Sequence, residues 1–164
     1  MAITNIETRE SQGTRSNTAV ADGNVRTVAR VLTPNADDSA TSVLRAFEVP
    51  AQARITSVRI TAADATTAGA IDVGVYARSE NGNTGAAVDA DFFASAFDLA
   101  GGPYTKQEII NESGNNDATA QGQALVDALG VTSDIPSFYD IAATITTTFN
   151  GGPTAILLEV DYVL

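Results

Sequence analysis

The densest group of side chains that could do chemistry is a pair of carboxylates, Asp89 and Asp91, followed by Asp98. Hard cations such as calcium prefer several oxygen ligands, so the pair is a candidate cation site. The residues after Asp91 are Phe92 and Phe93, where a loop of the EF-hand type would need further oxygens. We therefore favour a structural role for the pair, as the N-terminal cap of a helix.

Catalysis has few residue types to draw on in this chain. Cysteine, histidine and tryptophan are absent, which excludes thiol nucleophiles, Ser-His-Asp triads and Cys/His zinc sites. Paired carboxylates could still hydrolyse glycosides, but no aromatic platform for a sugar surrounds any of them. Of the four tyrosines, Tyr139 and Tyr162 are predicted to lie in strands, as core or sheet-edge residues. The sequence predicts a protein that is not an enzyme and has no catalytic, cofactor-binding or metal-binding residue.

The charge of the chain limits the classes of partner that it can bind. The net charge is -11, and an acidic protein is repelled by phosphate backbones and anionic lipids, which argues against nucleic acid or a membrane as partner. Residues 1–78 are neutral overall and residues 79–164 carry the whole excess. No apolar run is long enough to span a bilayer, and the first residues do not resemble a secretory signal. We expect synthesis in a cytoplasm, consistent with the lack of cysteine.

The composition and periodicity indicate an all-β protein. Alanine (28 residues) and threonine (20 residues) dominate, and the β-branched threonine, valine and isoleucine favour strands. Alternating apolar residues predict strands at 26–33, 42–49, 53–62, 70–78, 138–149 and 154–164, with a further candidate at 104–111. A change of phase near Thr56 predicts a bulge in the third strand. Asn150-Gly-Gly-Pro153 predicts a hairpin turn between the last two strands.

Two segments have helical rather than strand spacing. In residues 89–98, Phe93, Ala96 and Phe97 stand at i, i+3 and i+4, which predicts a short helix. Residues 121–129 predict a second short helix, ended by a glycine at position 130.

These elements predict one domain, a β-sandwich with two short helical inserts. The jelly roll is the favoured arrangement, although periodicity alone does not separate it from other sandwiches. Residues 1–24 are polar and without periodicity, and we expect them to form an extended or disordered arm before the domain at 25–164. Leu157, Val163 and Ala142 make the second face of the last two strands more apolar than a solvated face, which predicts that another subunit or a host surface covers it.

Three stretches resemble the head-decoration, or cementing, proteins of tailed bacteriophages. They are the polar arm with Ser42–Pro50 and Ala53–Ile60, then Ile71–Ala77 with Gly85–Asp98, and last Leu125–Asp134, Tyr139–Thr146 and Ile156–Tyr162. The resemblance covers roughly residues 42–164 and is one of order and texture.

The resemblance implies a small jelly-roll or sandwich domain on the capsid exterior. Such proteins bind the major capsid protein as dimers or trimers and clamp neighbouring subunits, and they have no catalytic residues. The expected function is therefore a non-enzymatic virion protein that cements the capsid and stabilises the subunits it binds by mass action. The alternative is a host-recognition or adhesin-type binding module on a virion appendage or a cell surface. The oligomer number, the symmetry axis, the head or tail location and a cation at Asp89 and Asp91 stay open.

Overall fold

A computed structural model describes residues 24–35, 38–63, 68–78, 85–149 and 155–164. The predicted arm therefore lies outside the described residues, except for Asn24. The predicted turn at 150–153 also lies outside them.

The described chain consists of eight strands and one short helix. Their bounds are β1 (Arg26–Leu32), β2 (Val43–Pro50), β3 (Arg54–Ala62), β4 (Ala70–Ala77), β5 (Ala87–Asp98), β6 (Tyr104–Glu108), α1 (Leu125–Ala128), β7 (Phe138–Thr147) and β8 (Ile156–Val163). Among the described residues, no helix has the length and apolar character needed to cross a bilayer.

The strands form two antiparallel four-stranded sheets with the order of a jelly roll. Sheet 1 has the order β1-β8-β3-β6 and sheet 2 the order β2-β7-β4-β5. The pairs β1·β8, β2·β7, β3·β6 and β4·β5 are nested along the chain, as in one long hairpin. Rolling that hairpin up adds the pairs β3·β8 and β4·β7. The all-β sandwich prediction is confirmed, and the strand order is that of the jelly roll.

The predicted hairpin between the last two strands is wrong. β7 pairs with β2 and β4 in sheet 2, while β8 pairs with β1 and β3 in sheet 1. The chain crosses from one sheet to the other between them, and the apolar side of each strand faces the common core. Alternation identifies a strand and its buried face, but it does not identify the neighbour with which the strand pairs.

The core lies between the inner faces of the two sheets. From sheet 1, Leu158 and Val160 of β8 point inward, and from sheet 2, Ile141 and Ile145 of β7 do so; all four are fully buried. Burying each such side chain contributes about 1.5–3 kcal/mol relative to exposure. Tyr139 and Tyr162, predicted as core or edge residues, are also in the core.

The bulge predicted in β3 is confirmed. The register with β8 shifts between Ile55 and Ser57. The Glu108 carboxylate of β6 accepts hydrogen bonds from the Ser57 hydroxyl at 2.6 Å and from the Val58 N–H at 2.8 Å. The neighbouring strand thereby satisfies the backbone that the bulge releases.

The first predicted helix is wrong, because residues 87–98 form strand β5. Three residues of β4, Val73 to Val75, lie opposite six residues of β5, Asp89 to Ala94. The extra residues put Phe92 and Phe93 both inside the protein, with their rings packed edge to face at 5.0 Å. The irregular strand thus buries the apolar residues whose spacing had predicted a helix.

The second predicted helix is shorter than expected. Only Leu125–Ala128 is helical, and Gly130 follows with a φ of 67°, the left-handed conformation that glycine adopts after a helix. The N–H groups of Leu125 and Val126 donate to the carbonyls of Ala53 and Ala51. The short helix is thus fixed across the β2–β3 connection, where its buried side chains close one end of the core.

Candidate interaction surfaces

The outer face of sheet 1 is mixed in polarity and largely self-paired. Arg59 forms an ion pair with Asp161 at 2.8 Å, and the Thr27 hydroxyl donates to the same carboxylate at 2.6 Å. The Lys106 ammonium lies 3.7 Å from the Glu159 carboxylate, whose residue is only 8% exposed. Most charged side chains of this face are therefore paired with other side chains of the same sheet.

Leu157 and Val163 lie on this face and are half-buried. Ala142, which the sequence grouped with them, belongs to sheet 2 and is fully buried by its own chain, so it needs no outside cover. That another subunit or a host surface covers Leu157 and Val163 stays a prediction.

The outer face of sheet 2 has a buried ionic centre. The Arg45 guanidinium pairs with Asp140 at 2.5 Å and lies over the Tyr76 ring, 5.4 Å from its centroid. The same guanidinium donates to the carbonyls of Ala77, at 3.1 Å, and Gly85, at 2.6 Å. Arg45 thereby ties together both sides of the β4–β5 connection, which makes the centre structural.

Tyr76 and Gly74 show how tightly this face is covered. The Tyr76 hydroxyl shares a hydrogen bond with Thr144, and burial raises the pKa of the tyrosine. A Cβ on Gly74 would lie 2.2 Å from the Asp89 carbonyl oxygen. The start of β5 therefore crosses directly over β4, and only glycine leaves room for its backbone.

Asp89 and Asp91 lie on β5 and not at the start of a helix, so the helix-cap interpretation is wrong. Burial, followed by the hydrogen bond to Asp91, raises the pKa of Asp89. Burial also raises the pKa of Asp72 on β4, with Asp91 and Glu112 adding repulsion. Among the described residues no group of three or more acidic side chains could hold a metal ion.

Asp98 is separate from that pair. It ends β5, and its carboxylate accepts the Ala100 N–H at 2.8 Å. The sequence placed Asp98 near the other two carboxylates, but an extended strand carries it away from them. Its contact is a turn cap.

The two sheets differ strongly in charge. The strands of sheet 1 carry five basic and three acidic side chains, a net charge of +2. The strands of sheet 2 carry one basic and six acidic side chains, a net charge of -5. The charge excess that the sequence assigned to the second half thus becomes, in the strands, a difference between two opposite faces.

Sequence reasoning missed the exposed large apolar side chains. In the described part of the chain these are Val25, Val31, Val88, Ile135 and Leu164, between 38% and 61% exposed. Alternation along β1 could have found two of them, since Val25 and Val31 share the outward parity of Thr27. Ile135 lies outside any strand, Val88 lies on the irregular strand β5, and Leu164 directly follows the end of β8, where its apolar alternation predicted a buried residue.

The fold has counterparts among solved structures. No protein-family model matches this sequence, and no curated protein is significantly similar to it. A chain in the capsid of Ralstonia phage GP4 is similar in structure, with a TM-score of 0.50 and 14% identity, over 87% of this chain and 85% of that one. A chain in the capsid asymmetric unit of cyanophage Pam1 is also similar, with a TM-score of 0.50 and 12% identity, over 96% of this chain and 97% of that one. These likenesses concern the fold and cover 85% or more of each chain.

Proposed function

We propose that this protein is a non-enzymatic structural component of a phage virion, where it binds the outer surface of the capsid and cements neighbouring capsid subunits. The observation that carries the proposal is the structural likeness, over 85% or more of each chain, to chains of two phage capsids. In both comparisons the aligned region covers most of each chain, so the likeness concerns a complete small domain and not a shared substructure.

The chemistry of the described residues is consistent with this role. The Arg45 guanidinium already has its ion-pair and hydrogen-bond partners within the chain. The carboxylates of Asp89 and Asp98 on β5 contact Asp91 and a backbone amide. A protein that acts by occupying a lattice needs stability and a complementary surface. A ligand that binds only the assembled subunits stabilises them by mass action.

The proposal includes the partners and the location expected from the sequence. The partner is the major capsid protein, the protein associates with copies of itself as a dimer or trimer, and it is made in the host cytoplasm before joining the capsid exterior. Residues 1–24 are proposed as an arm that contacts neighbouring subunits, since an arm that orders on binding adds contact area.

Co-sedimentation with undecorated capsids tests the proposal. We expect binding to saturate at a number of copies per capsid that matches the number of symmetry-equivalent positions on its surface. Sedimentation of the protein alone gives its own oligomeric state in the same experiment. Absence of binding to capsids, together with binding to host cells, would contradict the proposal and favour a receptor-binding module.

A further inference from the structure

We propose that one end of the sandwich, the end where β1 begins and β8 finishes, is the surface that docks on the capsid, and that its partner is an acidic and partly apolar patch of a capsid subunit. This inference rests on the proposed function. We call this surface the docking end and define it by Val25, Arg26, Arg54, Val88, Ile135 and Leu164.

The antiparallel topology gathers these residues at one end. Register pairs Arg26 with Tyr162 and Arg54 with Val163, so β1 and β3 begin where β8 finishes. In sheet 2, Pro50 pairs with Phe138 and Ala77 with Tyr139, so β2 and β4 end where β7 begins. The short β2–β3 connection joins the two sheets at this end, and the start of β5 lies beside the end of β4.

The docking end concentrates exposed apolar side chains. Of the five large apolar residues exposed in the described part of the chain, four lie there: Val25 (61%), Ile135 (50%), Val88 (39%) and Leu164 (38%). The fifth, Val31, lies at the opposite end of β1. Exposed apolar side chains scattered singly are ordinary, but several gathered on one surface are typical of an interaction site.

The docking end also carries two exposed cations. Arg26 and Arg54 are exposed, and neither forms an ion pair with any described residue. They flank the last residues of β8, one on each side. Arginine is enriched in protein interfaces and pairs with carboxylates through two parallel hydrogen bonds. Asp127 of α1 and Asp134 are also exposed at this end, so the two arginines, and not a net positive charge, would pair with carboxylates of a partner surface that has an apolar centre.

The broad faces of the sheets are less suited to such a contact. The charges of sheet 1 pair with each other, as in Arg59 with Asp161, and the strands of sheet 2 have a net charge of -5. The residues before Asn24 also join the domain at the docking end, since β1 begins there. Contacts made by that segment would therefore be adjacent to contacts made by the domain, which raises the effective concentration of each for the other.

Two valines of similar exposure provide a matched test. Val25 is 61% exposed at the docking end, and Val31 is 57% exposed at the opposite end of β1. Each is replaced with aspartate, and binding to undecorated capsids is measured by co-sedimentation, with thermal unfolding as the check on folding. We expect Val25→Asp to weaken capsid binding by about 10-fold or more, because a carboxylate would face the carboxylates of the partner, and Val31→Asp to leave it within about 2-fold.

Each other outcome overturns the assignment in a recognisable way. If Val25→Asp binds as well as the unmodified protein, or if Val31→Asp weakens binding as much as Val25→Asp does, the contact is not specific to the docking end. If Val25→Asp dissociates an oligomer of the protein in the absence of capsids and leaves capsid binding intact, the docking end serves a second copy of this chain. If the unmodified protein does not bind capsids, the proposed function itself fails.

A second pair of variants tests the charge complementarity. Arg54→Glu reverses an exposed cation of the docking end, whereas Lys106→Glu reverses a 63% exposed cation on the face of sheet 1. We expect only Arg54→Glu to weaken capsid binding, and we expect the weakening to shrink as salt is added. If the two variants bind capsids with the same affinity as each other, the proposal of an acidic partner surface at the docking end is contradicted.

Discussion

Arg45 and Asp140 form a 2.5 Å ion pair on the outer face of sheet 2, and both side chains are more than nine-tenths buried. The side most distant from the core of a sandwich is normally solvated. Here the same arginine also holds the carbonyls of Ala77 and Gly85, so the pair fastens the β4–β5 connection to β2 and β7. A buried charge of this kind is costly to leave without its partner.

Removal of one partner should therefore destabilise the protein strongly. We expect Asp140→Ala to lower the free energy of unfolding by about 3–5 kcal/mol, because the Arg45 charge would stay buried without its carboxylate. The matched control is Glu48→Ala, which removes the partner of Arg78 in a pair of side chains that are 36% and 39% exposed. That change should cost at most about 1 kcal/mol. Urea unfolding measures both free energies. Equal decreases for the two variants would show that the buried pair contributes no more to stability than the exposed pair does.

The carboxylate pair of β5 should make stability depend on pH. Because burial and Asp91 raise the pKa of Asp89 above 3.8, the folded protein binds this proton more tightly than the unfolded chain does. The associated stability is fully present below the unfolded pKa and is lost as pH rises through the folded pKa. We expect Asp89→Asn to be more stable than the unmodified protein at pH 7, with an advantage that declines towards pH 3. Urea midpoints across this range measure the difference.

Asp117 provides a control of opposite sign. Hydrogen bonds from Thr119 and Ala120 lower the pKa of Asp117, so its contribution is present above the unfolded pKa and is lost as pH falls through the folded pKa. Asp117→Asn should therefore be less stable than the unmodified protein at neutral pH, with the deficit shrinking in acid. If both variants deviate in the same direction at pH 7, the pKa shifts are not the cause.

The crossing of β5 over β4 depends on the absence of a side chain at Gly74. We expect Gly74→Ala to lower the free energy of unfolding by about 1–3 kcal/mol, because the new methyl group would meet the backbone of Asp89 at 2.2 Å. Thermal unfolding with near-ultraviolet circular dichroism measures the effect. Since Gly74 does not have a positive φ, any loss comes from crowding and not from backbone strain.

Gly122 separates these two causes. It has a φ of +86°, and a Cβ there would meet nothing within 4 Å. Gly122→Ala should therefore cost only the left-handed backbone strain, about 1–2 kcal/mol. Because the methyl group at Gly74 would also displace β5, the near-ultraviolet spectrum of the phenylalanine and tyrosine side chains should change for Gly74→Ala alone. An unchanged spectrum for both would contradict the proposed crowding.

The N-terminal arm should matter for binding and not for folding. We expect a chain that begins at residue 24 to keep its thermal transition, because the eight strands and the core lie within residues 26–163. Its binding to undecorated capsids should fall, because the proposed arm contributes contact area. Undiminished occupancy by the shortened chain would show that residues 1–23 do not take part in attachment.

The sequence revealed strands and their buried faces more accurately than it revealed irregular geometry. In β8, Leu158 and Val160 alternate with polar residues, and both are buried as predicted. In β5, Phe93 and Phe97 have a spacing that fits one face of a helix and also one face of a strand, and the structure contains a strand. A few apolar residues over ten positions do not separate these periods, particularly where bulges shift the register.

The sequence by itself determined that the protein is an all-β sandwich without cysteine or histidine chemistry, because composition and alternation are local properties of the chain. Only the tertiary structure decided that β7 and β8 lie in different sheets, that Arg45 meets Asp140, and that four exposed apolar residues share one end. Residues 45 and 140 are 95 positions apart, and no local pattern encodes such a pairing. It follows from the order in which strands join the sheets, which depends on how the whole core packs.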